Sequence, residues 1–445
     1  MALASAVLVT WRVGPAPALE VEADAPGIGR RTAVHVVAEE PARGVARTQV
    51  ALIQGERETV LLEREHPTRP AWAFWGQRTA RDEATVQVGR DAVDWLAEGP
   101  AVVRVSAWPA GTWLRRPEPS VEELELTVDL TPPLIQVLSS QHYPTLGGSE
   151  VVVYQVEEGT VRDGVQAGEW FFPGYDLPGR GGGERFALFA VPFDLEDPSS
   201  VRLVAEDGLG NRAERAFVDR LLPKEYRSDR IGVSDSFIET VAPEIESQTT
   251  GLEPSGSLLD RFLAINGDLR RENRARIREL TEGSAPEFLW HEAFLPFPNA
   301  QVMAGFGDHR TYTYGGEEVD RQDHLGIDLA SLQRSPVPAA ADGRVLLAGY
   351  LGIYGNVVLL DHGYGLATLY AHLSALEVSE GDAVTRGQTL GRTGATGLAG
   401  GDHLHYGVFL RGLAVRPEEW WDAGWIRDRL QRKLGDALPL AGGGA

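Results

Sequence analysis

From about residue 30 to residue 130, apolar and polar positions alternate in short runs, clearest over 32–37, 49–53, 101–107 and 124–130, with Gly, Pro and Asp between them. A period of two places alternate side chains on opposite faces of a strand. Several such strands in succession predict a β-sandwich over 30–130. Pro132 and Pro133 cannot donate to a strand ladder and mark a boundary. A second β-rich unit over 131–221 follows, with strands expected at 134–138, 150–156, 186–191, 200–206 and 213–219. The period then changes. Residues 234–246 and 258–280 carry helical spacing, and Leu258, Leu259, Phe262, Leu263, Ile265 and Leu269 fall on one face. The Arg/Glu-rich run from Arg270 to Glu279 reads as its solvated continuation. Residues 222–292 are therefore expected to form a helical connector, with no chemistry visible in it. Glycine and β-branched residues return over 293–425, with strands expected at 343–350, 356–361, 366–371, 389–393 and 404–410. A short amphipathic helix and a Gly-rich end complete the chain over 426–445. The fold class is mainly β: two sandwiches, a helical connector and a C-terminal antiparallel sheet domain.

Length agrees with this division, since 445 residues exceed what one compact domain usually holds. The formal net charge of -22 argues against a nucleic-acid partner and against electrostatic docking on anionic lipid. There are no cysteines, which removes disulfides and Cys-ligated metal sites and leaves an exported life open. Residues 2–11 are apolar but shorter than the roughly 20 residues of a membrane span, and no Lys or Arg precedes them. They read either as the remnant of a trimmed signal or anchor or as a first strand. Residues 14–29, rich in Pro, Ala and Gly, read as a linker following them.

Candidate chemistry is concentrated near the C-terminus. Of ten histidines, six (His309, His324, His362, His372, His403 and His405) lie between positions 309 and 405. His324 and Asp328 are four apart, His372 lies in Tyr370-Ala-His-Leu-Ser374, and His403 and His405 are two apart. On a strand, that last spacing points both imidazoles to one side. Imidazole and carboxylate suit zinc, and three protein ligands leave a position for water. Gly326, between the first two groups, is expected to let the backbone turn so that they converge. Each pattern alone is commonplace, and their combination singles out the domain.

The same motifs carry a resemblance. His324-x-Gly-x-Asp328, Pro336-Val-Pro-Ala-Ala-Ala-Asp-Gly-Arg-Val345, Gly355-Asn-Val-Val, His362-Gly-Tyr-Gly, Thr368-Leu-Tyr-Ala-His-Leu-Ser374, Gly391-Arg-Thr-Gly-Ala-Thr-Gly397 and His403-Leu-His405 together resemble the lysostaphin-type (LytM-like) zinc metalloendopeptidases. The resemblance implies that His324, Asp328 and His405 bind a zinc ion and that His372 and His403 flank a metal-bound water. It also implies hydrolysis of peptidoglycan stem peptides or cross-bridges in the cell envelope, periplasmic or extracellular. The family often has Gly-Pro-His-Leu-His-Phe-Glu where this chain has Gly401-Asp-His-Leu-His-Tyr-Gly407, a difference that removes no ligand. Upstream, Asp129-x-Thr-Pro-Pro133 and Ala205-x-Asp-x-x-Gly-Asn211 resemble bacterial immunoglobulin-like modules of cell-surface proteins.

Within that resemblance His403 is favoured as the base and His372 as the oxyanion donor, and sequence does not separate them. Tyr312 or Tyr314 is a further hydrogen-bond candidate, with loop packing the better reading. His362 is read as structural and His309 as a loop residue, while His35, His66, His142 and His291 are assigned surface or packing roles. The alternative to an enzyme is a non-catalytic scaffold that activates cell-wall amidases. The five polar positions retained here argue against it. Glycyl bridges and D-alanyl–diaminopimelate links both stay open as the bond cleaved. The connector, by its position, is expected to cover the cleft and hold the enzyme latent, so that deletion to about residue 285 would raise activity.

Overall fold

The computed structural model describes residues 14–440 apart from 74, 113 and 114. The apolar start at 2–11 and the Gly-rich end lie outside the described residues. The chain is mainly β and divides into two compact units. Among the described residues, one comprises 14–134 with 157–162 and 205–213, and the other comprises 135–156, 163–204 and 214–440.

In the first unit the alternation read from sequence becomes alternation of burial. Arg81–Val88 buries every second residue, and Thr32–Glu39 does the same in the complementary phase. Two sheets result. The three-stranded one is ordered Ala18–Ala23, Thr32–Glu39, Arg81–Val88, and the five-stranded one Gly27–Ile28, Ser120–Val128, Gly99–Pro109, Val45–Gln54, Arg57–Glu65. Their inner faces share a core of Val34, Val36, Val50, Leu52, Val86, Val103 and Val105, as two packed sheets require. The linker expected over 14–29 is corrected here. Ala18–Ala23 pairs with Thr32–Glu39 and packs Leu19, Val21 and Ala23 on that core. Apolar burial on alternate positions outweighs the Pro/Ala/Gly-rich composition around them.

The second unit opens with a four-stranded sheet ordered Tyr175–Asp176, Glu184–Ala190, Ser149–Val156, Ile135–Val137. Helix Asp235–Gln248 starts at Ser234, whose hydroxyl accepts from the Phe237 amide. A second helical run, from Leu258 to Glu282, opens with a capping box between Ser257 and Asp260. Residues Ala264–Leu269 within it are wound in the wider π form. The Arg/Glu-rich end is not simply solvated: Asn273, Ile277 and Thr281 are buried at helical spacing.

The C-terminal part of this unit is built on one antiparallel sheet. Its order is Gln301–Ala304, Ile327–Ala330, Leu404–Leu410, Leu366–Leu373, Asn356–Gly363, Gly343–Tyr350, Ala383–Val384, with Leu413–Val415 pairing beside Leu404–Leu410. Its central strands, Leu366–Leu373 and Leu404–Leu410, are buried at every position. One flank is an aromatic cluster of Trp290, Phe294 and Trp420, with ring centroids 5.4–5.9 Å apart. A smaller sheet is ordered Ser228–Val233, Asp308–Tyr314, Glu317–His324. Its first pairing is parallel, a departure from a purely antiparallel domain that ties residues 228–233 into the fold.

Candidate metal centre

Strand register brings the predicted residues together. Asp328 on Ile327–Ala330 lies directly opposite His405 on Leu404–Leu410, and opposed residues share a face of the sheet. His405 also pairs with Ala371 on the next strand, which places His372 beside it. His403 shares the face of His405, two residues away. His324 ends the strand Glu317–His324.

Three donor atoms form a nearly equilateral triangle. His324 Nε2 is 2.9 Å from Asp328 Oδ1 and 3.0 Å from His405 Nδ1, and His405 Nδ1 is 2.9 Å from Asp328 Oδ1. One cation at the usual zinc–ligand distances of about 2.0–2.2 Å can touch all three. His324 Nδ1 lies 2.8 Å from the Gly305 carbonyl oxygen, so it donates there and turns the Nε2 lone pair toward the triangle. Asp328 Oδ2 accepts from Arg310 Nη2 at 2.8 Å, which leaves Oδ1 for the triangle.

Electrostatics favour the protonation states a divalent cation needs. Burial works to raise the Asp328 carboxyl. The neighbouring His324 and bonds from His403 and His405 outweigh it and hold the group well below the usual carboxylate range. Burial lowers His405 to about 4, despite the opposing pull of Asp328. An ionised carboxylate beside a neutral imidazole is a zinc-type donor set.

His372 and His403 flank the triangle. Their rings are 4.8 Å apart, and His403 Nε2 is 3.6 Å from Asp328 Oδ1. His372 Nδ1 is tied to the Thr396 carbonyl and His403 Nδ1 to the Gly401 carbonyl, each at 2.8 Å. Both rings therefore donate from Nδ1; His372 keeps Nε2 as an acceptor, whereas His403 Nε2 faces the Asp328 carboxylate. Burial pushes His372 well below the ordinary histidine value, with His403 and His405 adding to it. For His403 burial acts in the same sense, but the Asp328 carboxylate outweighs it and the net shift is upward. His372 has φ 63°, a left-handed conformation strained for a residue with a side chain.

Gly326 lies at a bend between the strands that carry His324 and Asp328, with its φ outside the left-handed region. A Cβ there would lie 2.5 Å from His405 Cε1 and 2.6 Å from Nε2, so space at this bend requires glycine.

The surrounding cavity, about 330 Å³, is lined by all five predicted residues and by Arg310, Tyr312 and Tyr354. Residues 222–292, expected to carry no chemistry, also contribute to its wall with Ile231, Gly232, Val233, Phe237, Phe262 and Arg270. Sequence reading missed Arg310. Its signal was its place two residues before Tyr312 on Asp308–Tyr314, hence on the same face. Tyr312 lines the cavity, whereas the Tyr314 hydroxyl donates to Asp235. His309 belongs to a strand, not a loop, and bonds Asp323 at 2.6 Å. His362 is fully buried between the Asp342 carbonyl and the Thr368 hydroxyl.

Residues 322–417 match the family model for Peptidase family M23. The chain carries an M23 domain. Over 94 residues it is 47% identical to the DD-carboxypeptidase/endopeptidase Mpg of Neisseria meningitidis, covering 21% of this chain and 22% of that protein. Over 92 residues it is 40% identical to the peptidoglycan DD-endopeptidase ShyA of Vibrio cholerae, covering 21% of each. The chain thus spans about a fifth of the length of the curated relatives it matches. Among solved structures, the catalytic domain of lysostaphin from Staphylococcus simulans is 30% identical, with 28% of this chain and 92% of that one covered and a TM-score of 0.24. A peptidase M23 structure from Pseudomonas aeruginosa is 22% identical, with 63% and 95% covered and a TM-score of 0.40. The matched segment of the M23 domain contains all five predicted site residues.

Proposed function

We propose that the M23 domain is a zinc-dependent endopeptidase that hydrolyses peptide bonds of bacterial cell-wall peptidoglycan. The observation that carries the reading is the His324–Asp328–His405 triangle, with two further imidazoles flanking it in one cavity. Bound zinc would supply a water acidified to a pKa near 7 and a polarised scissile carbonyl. His324, Asp328 and His405 would hold the ion, with Arg310 fixing the carboxylate. His372 and His403 flank the reacting water, one as a proton acceptor and the other as a donor. One takes its proton as the water oxygen bonds to the carbonyl carbon. That proton passes to the leaving nitrogen as the C–N bond breaks, which yields a carboxylate and an amine. The other imidazole, in its protonated form, donates to the oxyanion. Similarity to enzymes named for peptidoglycan DD-endopeptidase activity supports the substrate class. That substrate implies action in the cell envelope. Among the described residues, no helix is long and apolar enough to cross a membrane.

The alternative, an amidase-activating scaffold, has no need of five convergent polar groups. Mass spectrometry of muropeptides released from purified peptidoglycan, with and without a chelator, tests the proposal. Chelator-sensitive release of new amines is expected, together with zinc near one per chain. A His324→Ala variant should lose both, and full hydrolysis by that variant would defeat the assignment.

A further inference from the structure

The cavity contains a cation that the chemistry above leaves unused. Arg270 follows the π-wound segment Ala264–Leu269, a type of insertion that often marks functional positions in helices. Asn266, fully buried, clasps the guanidinium. Its backbone oxygen accepts from Arg270 Nε at 3.0 Å, and its side-chain oxygen accepts from Nη2. The Asn266 amide is itself fixed, because Nδ2 donates to Asp320 Oδ2 at 2.7 Å. Among the described residues, the remaining N–H groups of Arg270, those on Nη1 among them, meet no protein acceptor, and the residue lines the cavity that holds the histidines. No carboxylate lies within ion-pair distance of it among the described residues. The ionisable groups that bear on it are Tyr312 and Tyr354, then the cations Arg274 and Arg310. Arg310 is already committed to Asp328. A guanidinium stays charged at any working pH, and a half-buried one, oriented by a dedicated amide and lacking a counter-ion, is arranged for an anion from outside.

We propose that Arg270 is a carboxylate-binding subsite that reads a free carboxylate beside the scissile amide, an inference that rests on the peptidase reading. The two bonds left open by the sequence differ in this group. The diaminopimelate side of a D-alanyl–diaminopimelate link carries a free carboxylate on the carbon next to the amide nitrogen. A glycine within a glycyl bridge carries none. Arg270 therefore selects the first bond. A planar fork of donors suits a carboxylate in two-point contact.

The test uses two synthetic peptides that share a D-alanyl amide bond. One has a free carboxylate on the leaving-side carbon and the other a carboxamide there. Binding is measured on the full chain depleted of metal, so that the carboxylate has no zinc to bind. Hydrolysis is measured on the zinc-loaded chain. The acid should bind about ten- to a hundredfold more tightly than the amide, the range for a hydrogen-bonded charged pair. In Arg270→Gln this preference should fall to about one, with zinc content and melting temperature unchanged. Arg270→Lys should retain part of it. Equal binding of both peptides by the unaltered chain overturns the proposal even if Arg270→Gln does not fold, and so does a preference that survives in Arg270→Gln. The two readings fail separately. An Arg270-dependent preference without hydrolysis upholds the subsite and removes the peptidase, whereas hydrolysis without preference does the reverse.

Discussion

Replacing Glu419 with Gln should make the protein more stable at neutral and alkaline pH. Glu419 is 7% exposed and sits in the short helix Pro417–Trp421. Its Oε2 accepts from the Ser149 amide at 2.8 Å, and Arg416 approaches only to 3.5 Å. Burial raises its carboxyl from 4.5 to about 7, and Glu150 and Glu418 add to that. The folded state thus binds the proton more tightly than the unfolded state. Stability from this group is full below about pH 4.5 and declines as pH rises to about 7. The shift corresponds to about 3 kcal/mol at 1.36 kcal/mol per pH unit. Gln keeps the acceptor for the Ser149 amide and cannot ionise. His362 and His142, lowered by burial to about 4, act in the opposite sense, losing stability as pH falls from about 6.5. The total pH profile therefore mixes both slopes, and only the difference between variant and parent isolates Glu419. Urea unfolding at half-unit steps from pH 4.5 to 8 measures it. The difference should be near zero at the acid end and grow to about 3 kcal/mol in favour of Glu419→Gln. A difference that does not change with pH would refute the reasoning.

The other predictions concern the metal centre and its surroundings. Gly326→Ala places a methyl carbon 2.5 Å from the His405 ring, so zinc affinity measured against a competing chelator should fall at least about tenfold; unchanged affinity would contradict the steric account. Truncation of residues 1–285 should lower melting temperature and activity together, contrary to the gain expected of a removable cover. It deletes the strand Ser228–Val233 paired with Asp308–Tyr314, the Asn273 acceptor for the Ile353 amide, and Ser284, which bonds Asp361. A truncated protein that melts like the parent and hydrolyses peptidoglycan faster would restore the cover interpretation.

Much of the fold was legible because burial on one face of a strand writes itself as alternation. Residues 32–39 and 81–88 show this plainly. The strand Ala18–Ala23 carried the same alternation, at Leu19, Val21 and Ala23, but two intervening glutamates and the flanking prolines disguised it as linker. The five polar residues of the candidate site were legible for another reason. Two histidines two apart, and a His and an Asp four apart, constrain where their side chains point, and register between neighbouring strands completes the convergence. Gly326 shows the limit of that reading. Its place at a bend was legible, but the space it leaves is filled by an imidazole 79 positions away in sequence, which no local pattern encodes.

The same limit accounts for residues 222–292. A helix that packs on its own domain advertises its buried face through apolar side chains. The second helical run buries Phe262, Ile265 and Leu269 as its apolar spacing predicts, but it also turns Asn266, Asn273 and Thr281 inward with Arg270 half-buried beside them, polar positions that are indistinguishable in sequence from solvated ones. Polar groups are stable inside only when their partners are supplied, and here the partners come from elsewhere in the chain: Asp320 for Asn266 and the Ile353 amide for Asn273. Arg270 is the member of this face whose bonds stay within its own helix and whose charge has no counter-ion among the described residues. A buried polar face that is satisfied at Asn266 and Asn273 and incomplete at Arg270 is therefore more than packing. The incompleteness falls at the wall of the candidate cavity, where the proposed substrate would complete it.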